Sequence, residues 1–98
     1  MPAYLIVNYQ VDNPDLYGEY MAASAPALGV GENCEVVAFD TASEVMEGDT
    51  AGHQTVVLKF DTKEKAKEVW ASEAYRAVVG KRLEATSRHF AVLVDGFG

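Results

Sequence analysis

The stretch LIVNYQVDNPDLYGEY, Leu5 to Tyr20, changes its period half-way along. Up to Val11 it alternates. Leu5, Val7, Tyr9 and Val11 fall on one face, and Tyr4, Ile6, Asn8 and Gln10 on the other, which is the two-residue repeat of a strand. Asn13 then suits a helix cap, Pro14 the first helical position and Asp15 the positive end of the helix dipole. Leu16, Tyr17, Tyr20 and Met21 recur at helical spacing. Gly18 weakens this helix, and Pro26 is expected to end or kink it. A strand thus hands over to a helix, and two amides sit in the middle of the strand.

The rest of the chain extends this β-α unit. Gly29 and Gly31 make a turn, and Cys34 to Phe39 reads as a second strand. A polar, acidic connection leads to a third, His53 to Phe60, with Gln54, Val56, Leu58 and Phe60 on one face. Asp61 and Glu64 have capping-box spacing before a helix that buries Ala66, Val69 and Trp70. Ser72 can cap a further helix with Tyr75, Val78, Val79 and Leu83 as its apolar stripe. His89 to Asp95 is the last strand, with Phe90, Val92 and Val94 expected to face the helices. The order β-α-β-β-α-β is the split pattern of a ferredoxin-like α+β fold, residues 1–98 forming one domain. Right-handed crossovers put the helices on one face of a four-stranded antiparallel sheet, in the spatial order four, one, three, two. The other face, with Tyr4, Ile6, Asn8, Gln10, Thr55, Val57, Ala91 and Leu93, is too apolar for water. A second copy packed sheet on sheet would cover it.

Composition narrows the function classes. The chain carries −7 overall, with no Lys or Arg before Lys59, so residues 1–58 hold −9 and residues 59–98 hold +2. An acidic surface repels phosphate backbones, which disfavours nucleic acid. Nor does the third strand carry the stacking aromatics that an RNA-recognition sheet needs. No segment approaches the ~20 apolar residues of a membrane span, and a cytoplasmic protein is expected. One cysteine, Cys34, excludes an internal disulfide.

The segments MPAYLIVNYQVDNPDLYGEY and FDTKEKAKEVWASEAYRAVVGKRLEATSRHFAVLVDG resemble domain-of-unknown-function family 1330. The matching positions are Tyr4, Pro14, Tyr17, Tyr20, Ser72, Tyr75, Arg82 and Gly96. The middle departs from the family pattern. The turn is GVGEN, the second strand runs into VVAFDTA without the usual Arg, and Glu73 replaces a Pro. The resemblance implies the dimeric α/β-barrel superfamily, hence a homodimer joined through its sheets. It also implies pockets between sheet and helices, which Tyr20, Trp70, Tyr75 and Arg82 would line.

Candidate chemistry is sparse. His53 and His89 stand at strand starts, about 10 Å apart across the first strand, too far for one metal. Either can serve as a general base, titrating nearest neutrality. Asn8 and Gln10 need partners: across a dimer, from water, or from a small ligand. Arg82 can hold a ligand carboxylate or form an ion pair with Glu19, Glu84 or Glu73. Haem-degrading relatives pair a strand-one Asn and a Trp with a ligating His, and no His occurs near Val79 and Gly80. No cofactor and no metal are expected. The catalytic candidates are His53, Tyr20 and Asn8; the ligand-binding candidates are Tyr20, Trp70, Tyr75 and Arg82. One expectation is a binder of a small, partly apolar or acidic molecule, with cofactor-free acid–base chemistry of isomerase or monooxygenase type. The other is a non-catalytic homodimeric binding or stress-associated module.

Overall fold

The computed structural model of the chain describes residues 1–97. Its elements are β1 (Ala3–Val11), α1 (Pro14–Leu28), β2 (Cys34–Asp40), β3 (Gln54–Phe60), α2 (Lys63–Trp70), α3 (Glu73–Ala85) and β4 (Thr86–Asp95). The four strands form one antiparallel sheet in the order β2-β3-β1-β4, with β1 central as expected. The second helical segment is two helices, broken at Ala71 and restarted by Ser72, whose hydroxyl accepts from the Tyr75 N–H at 3.2 Å.

Helix ends follow local chemistry. Asn13 caps α1 by accepting from Leu16 N–H, with Pro14 at the first position. Thr62, one residue after the expected Asp61, caps α2 by accepting from Lys65 N–H. Pro26 does not end α1, which runs on to Leu28. The helix closes instead at Gly29, in the left-handed region at φ 70°. Gly29 N–H donates to Pro26 C=O and Val30 N–H to Ala25 C=O, the paired bonds of a Schellman turn.

The core lies between the helices and one sheet face. Leu5, Val7, Tyr9, Leu58 and Phe60 are buried there, against Tyr17, Tyr20 and Leu28 of α1, Ala66 and Val69 of α2, and Tyr75 of α3. The stripe expected on α3 is displaced. Tyr75, Arg82 and Ala85 are its buried residues, whereas Leu83 is exposed.

The expectation for β4 is corrected. Its register pairs Leu5 with Leu93 and Val7 with Ala91, so Ala91 and Leu93 face the helices. Phe90, Val92 and Val94 point the other way and are 43%, 45% and 36% exposed. The phase is set by an irregularity. Arg88 adopts φ 56°, and Arg88 and His89 together oppose Tyr9, one extra residue in β4. Ala91 and Leu93 lie under α2: with Ala66 and Trp70 they border one shared depression.

Asn8 lies on the open face, as the alternation implies, but its expected partner, a second copy, water or a ligand, is corrected. Asn8 is buried, and its partners lie within its own chain. Nδ2 donates to Gly52 C=O at 3.1 Å and to Thr55 Oγ1 at 2.9 Å, while Oδ1 accepts from Gly52 N–H at 2.7 Å. This pins the end of the β2–β3 connection onto β1. Gly52 lies so close that a Cβ would overlap the backbone of Tyr9 and Gln10. Asn8→Ala orphans both polar groups of Gly52. It is expected to cost about 2 kcal/mol in urea unfolding and to open residues 44–51 to proteolysis. Unchanged stability and cleavage would show that the loop is held by something else.

Candidate functional site

Helical spacing and strand alternation bring one polar aromatic layer together under the helices. Tyr9 projects from β1, Tyr17 and Tyr20 from successive turns of α1, and Tyr75 and Arg82 from one face of α3, two turns apart. The hydroxyls satisfy one another in pairs, Tyr9 with Tyr17 and Tyr20 with Tyr75, each at 2.7 Å. Trp70, at the end of α2, stacks on Tyr75 with ring centroids 4.7 Å apart. The Arg82 Cζ lies 5.3 Å from the Tyr9 ring centroid and 5.6 Å from that of Trp70.

A cavity of about 110 Å³ opens beside this layer. Val7, Tyr9, Val56 and Leu58 form its floor; Tyr20, Met21, Ser24 and Leu28 of α1 form one wall, and Trp70 closes an end. Val30, Val36 and Phe39 stand at its exposed rim. Most of the lining is apolar; the lining residues with polar side-chain atoms are Tyr9, Tyr20, Ser24 and Trp70.

Burial sets the protonation of this layer. It pushes the phenols of Tyr9, Tyr17 and Tyr20 above the ordinary value, and the nearby Arg82 charge offsets only part of that. At neutral pH these hydroxyls are donors, not bases. Burial likewise raises the Cys34 thiol, which leaves it a poor nucleophile.

The candidates named from sequence divide between several places. Tyr20 and Trp70 line the cavity. Tyr75 and Arg82 stand behind it, Tyr75 bonded to Tyr20 and Arg82 set against Tyr9 and Trp70. Asn8 is on the opposite sheet face, bound to its own loop. His53 lies beyond Phe39, in a separate open groove with Tyr17, Gly18 and Gln54. Its Nε2 accepts from Val11 N–H at 3.2 Å, so its free lone pair is already used. Tyr20, Asn8 and His53 therefore do not form one acid–base constellation. The ion pairs expected for Arg82 are not made: Glu19 pairs with Lys81 at 3.4 Å. Among the described residues no group of three His, Cys, Asp or Glu could hold a metal ion, and no helix is long and apolar enough to cross a membrane. Tyr9 and Ser24 were missed as site residues. The alternation of β1 had put Tyr9 on the helix side, which was the available signal.

The family profile described as a domain of unknown function (DUF1330) matches residues 2–97. The chain belongs to the DUF1330 family. No curated protein matches it. A protein of unknown function from Rhodopseudomonas palustris is similar in structure at TM-score 0.77 and 14% identity, over 99% of this chain and 83% of that one. A dimeric ferredoxin-like protein of unknown function from Thermobifida fusca aligns at TM-score 0.67 and 16% identity, over 96% and 90% of the two chains. SnoaB of Streptomyces nogalater, a cofactor-independent oxygenase, aligns at TM-score 0.69 and 8% identity, over 97% and 92%. At such identities the likeness establishes the ferredoxin-like fold of this DUF1330 chain and nothing finer.

The raised phenols give a pH dependence of definite sign. An unfolded chain releases these protons near the ordinary value of 10.0, while the folded chain keeps them. The folded state then binds more protons, so this contribution is full below pH 10.0 and is lost as pH rises above it. Urea midpoints measured on either side of that pH are expected to fall, and to fall less steeply in Tyr20→Phe. Equal slopes in the two proteins would contradict the assignment.

Proposed function

We propose that this DUF1330 chain holds a small, largely apolar molecule in the cavity between sheet and helices, and does so as a homodimer joined through the open sheet face. The cavity carries the reading. At about 110 Å³ it is of the order of the ~150 Å³ engineered cavity that binds benzene, so a single-ring compound is the right scale. Apolar walls supply affinity, and a few phenol and hydroxyl groups supply orientation.

Chemistry in this site runs on donors. With Tyr75 as the donor in their pair, the Tyr20 hydroxyl keeps its own proton to stabilise negative charge developing on a carbonyl oxygen, as a preorganised donor in a dry site does. A general base is not at hand, because His53 lies outside the cavity. The reactions this favours use a substrate acidic enough to pass its proton to water at the open rim, such as an activated carbon acid. SnoaB, a cofactor-independent oxygenase with a similar fold, is compatible with such chemistry. The second reading is a binding module without catalysis. It draws support from Asn8 and His53, both spent on holding the chain's own backbone.

The single tryptophan, Trp70, lines the cavity and provides the test. Benzamide is expected to change its fluorescence saturably. Ser24→Phe, which fills the cavity from α1, is expected to abolish that change while the thermal unfolding midpoint stays within a few degrees. An identical titration in the variant would place the binding elsewhere and end this reading.

The dimer has its own support. Ile6, Val57, Phe90, Val92 and Val94 make a continuous apolar face by register, and dimeric proteins occur among the chains of similar fold. Sizing at micromolar concentration is expected to give twice the 10.6 kDa of one chain, and Val92→Asp to give the single chain. A wild-type monomer under those conditions would rule out the sheet-to-sheet arrangement.

A further inference from the structure

Among the described residues, the buried cation of this molecule forms no ion pair. Arg82 is 5% exposed, and its Nε has no hydrogen-bond partner. The ion pairs among the described residues all use lysines: Lys59, Lys63, Lys65 and Lys81. Glu19 of α1 is committed to Lys81, the chain neighbour of Arg82. What Arg82 faces instead is two aromatic rings, Tyr9 and Trp70. Cation–π contacts are worth about 0.5–2 kcal/mol each, whereas removing a charge from water costs several kcal/mol even after relaxation. The rings therefore offset only part of the penalty. Charged side chains buried this deeply are as a rule paired.

A second donor is orphaned nearby. Gln54 is 2% exposed, and its Nε2 is buried without a partner. Gln54 is the cross-strand neighbour of Tyr9, the residue whose ring Arg82 covers. Both orphaned donors thus border the same side chain, and that side chain lines the cavity. A neutral apolar guest would leave the charge of Arg82 uncompensated.

We propose that the molecule held in the cavity carries an oxyanion, a carboxylate on a small flat body, and that Arg82 is its counter-ion. The proposal rests on the cavity being a ligand site and adds the charge of the ligand. The apolar body takes the space between Val56 and the α1 wall. Arg82 itself stands behind the lining, so the carboxylate reaches the guanidinium by parting Tyr9 and Trp70, the two rings that both line the cavity and face Arg82. A guanidinium matches a carboxylate with two parallel N–H donors, which a lysine does not.

Benzoate and benzamide separate the two levels of the reading, being nearly the same size and shape and differing in charge. Trp70 fluorescence reports binding of both. The wild type is expected to bind benzoate about tenfold or more tightly than benzamide. Arg82→Met is expected to keep benzamide binding and lose the preference; Arg82→Lys should retain part of it. Ligand-free Arg82→Met is also expected to melt above the wild type, because an unpaired buried charge has been removed. Equal binding of the two probes by the wild type, or a preference that survives in Arg82→Met, overturns the counter-ion assignment and leaves the cavity reading intact. Failure of both probes to bind at millimolar concentration removes the cavity reading, and this proposal with it. A lowered melting point or failure to fold in Arg82→Met marks the arginine as a packing residue and counts against the proposal; the preference in Arg82→Lys then decides it.

Discussion

β1 is hydrogen-bonded along both edges, to β3 on one side and β4 on the other, and the rest of the molecule is arranged around that constraint. A strand with both edges used has only its two faces left. One carries Ala3, Leu5, Val7 and Tyr9 under the helices. The other carries Tyr4, Ile6 and Asn8, and among the described residues no helix covers it. The β2–β3 connection covers part of that second face because Asn8 grips Gly52. What remains is the apolar patch of Ile6, Val57, Phe90, Val92 and Val94. Polarity in the middle of β1 thus serves the fold of one chain before it serves a partner.

The helix side solves a different problem. Burying phenols requires a partner for each hydroxyl, and here Tyr9, Tyr17, Tyr20 and Tyr75 supply one another. Such closed pairs make a rigid wall, in which burial raises the phenols of Tyr9, Tyr17 and Tyr20. The groups left open are the ones with chemistry to spare: Arg82 and Gln54, both deeply buried and both beside Tyr9. Surface charges contribute little by comparison. The pairs Lys59–Glu35 and Lys81–Glu19 join the acidic first half of the chain to the mixed second half. They are exposed, however, and worth at most about 1 kcal/mol each.

Much of this was legible in the sequence, for reasons that differ by element. The period changes at Asp12 and Asn13, the caps at Asn13 and Ser72 are side-chain chemistry, and the β-α-β-β-α-β order leaves few topologies open. The family resemblance implied Tyr20, Trp70, Tyr75 and Arg82 as a pocket lining; Tyr20 and Trp70 border the cavity, and Tyr75 and Arg82 stand behind it. β4 was not legible, because Phe90 to Val94 is apolar in both phases and alternation has nothing to choose by. For Arg82 the sequence left two readings open, a ligand carboxylate or an ion pair, since Glu19, Glu73 and Glu84 were all in reach by spacing.

By itself, then, the sequence determined the elements, their order and the side of β1 that meets the helices. These depend on short-range periodicity and capping. Only the tertiary structure decided which face of β4 turns inward, that Asn8 holds Gly52, and that Arg82 sits against rings with no carboxylate. Each of those rests on contacts between residues far apart in the chain: an extra residue opposite Tyr9, a loop folded back over 44 positions, and a lysine that takes the acid first.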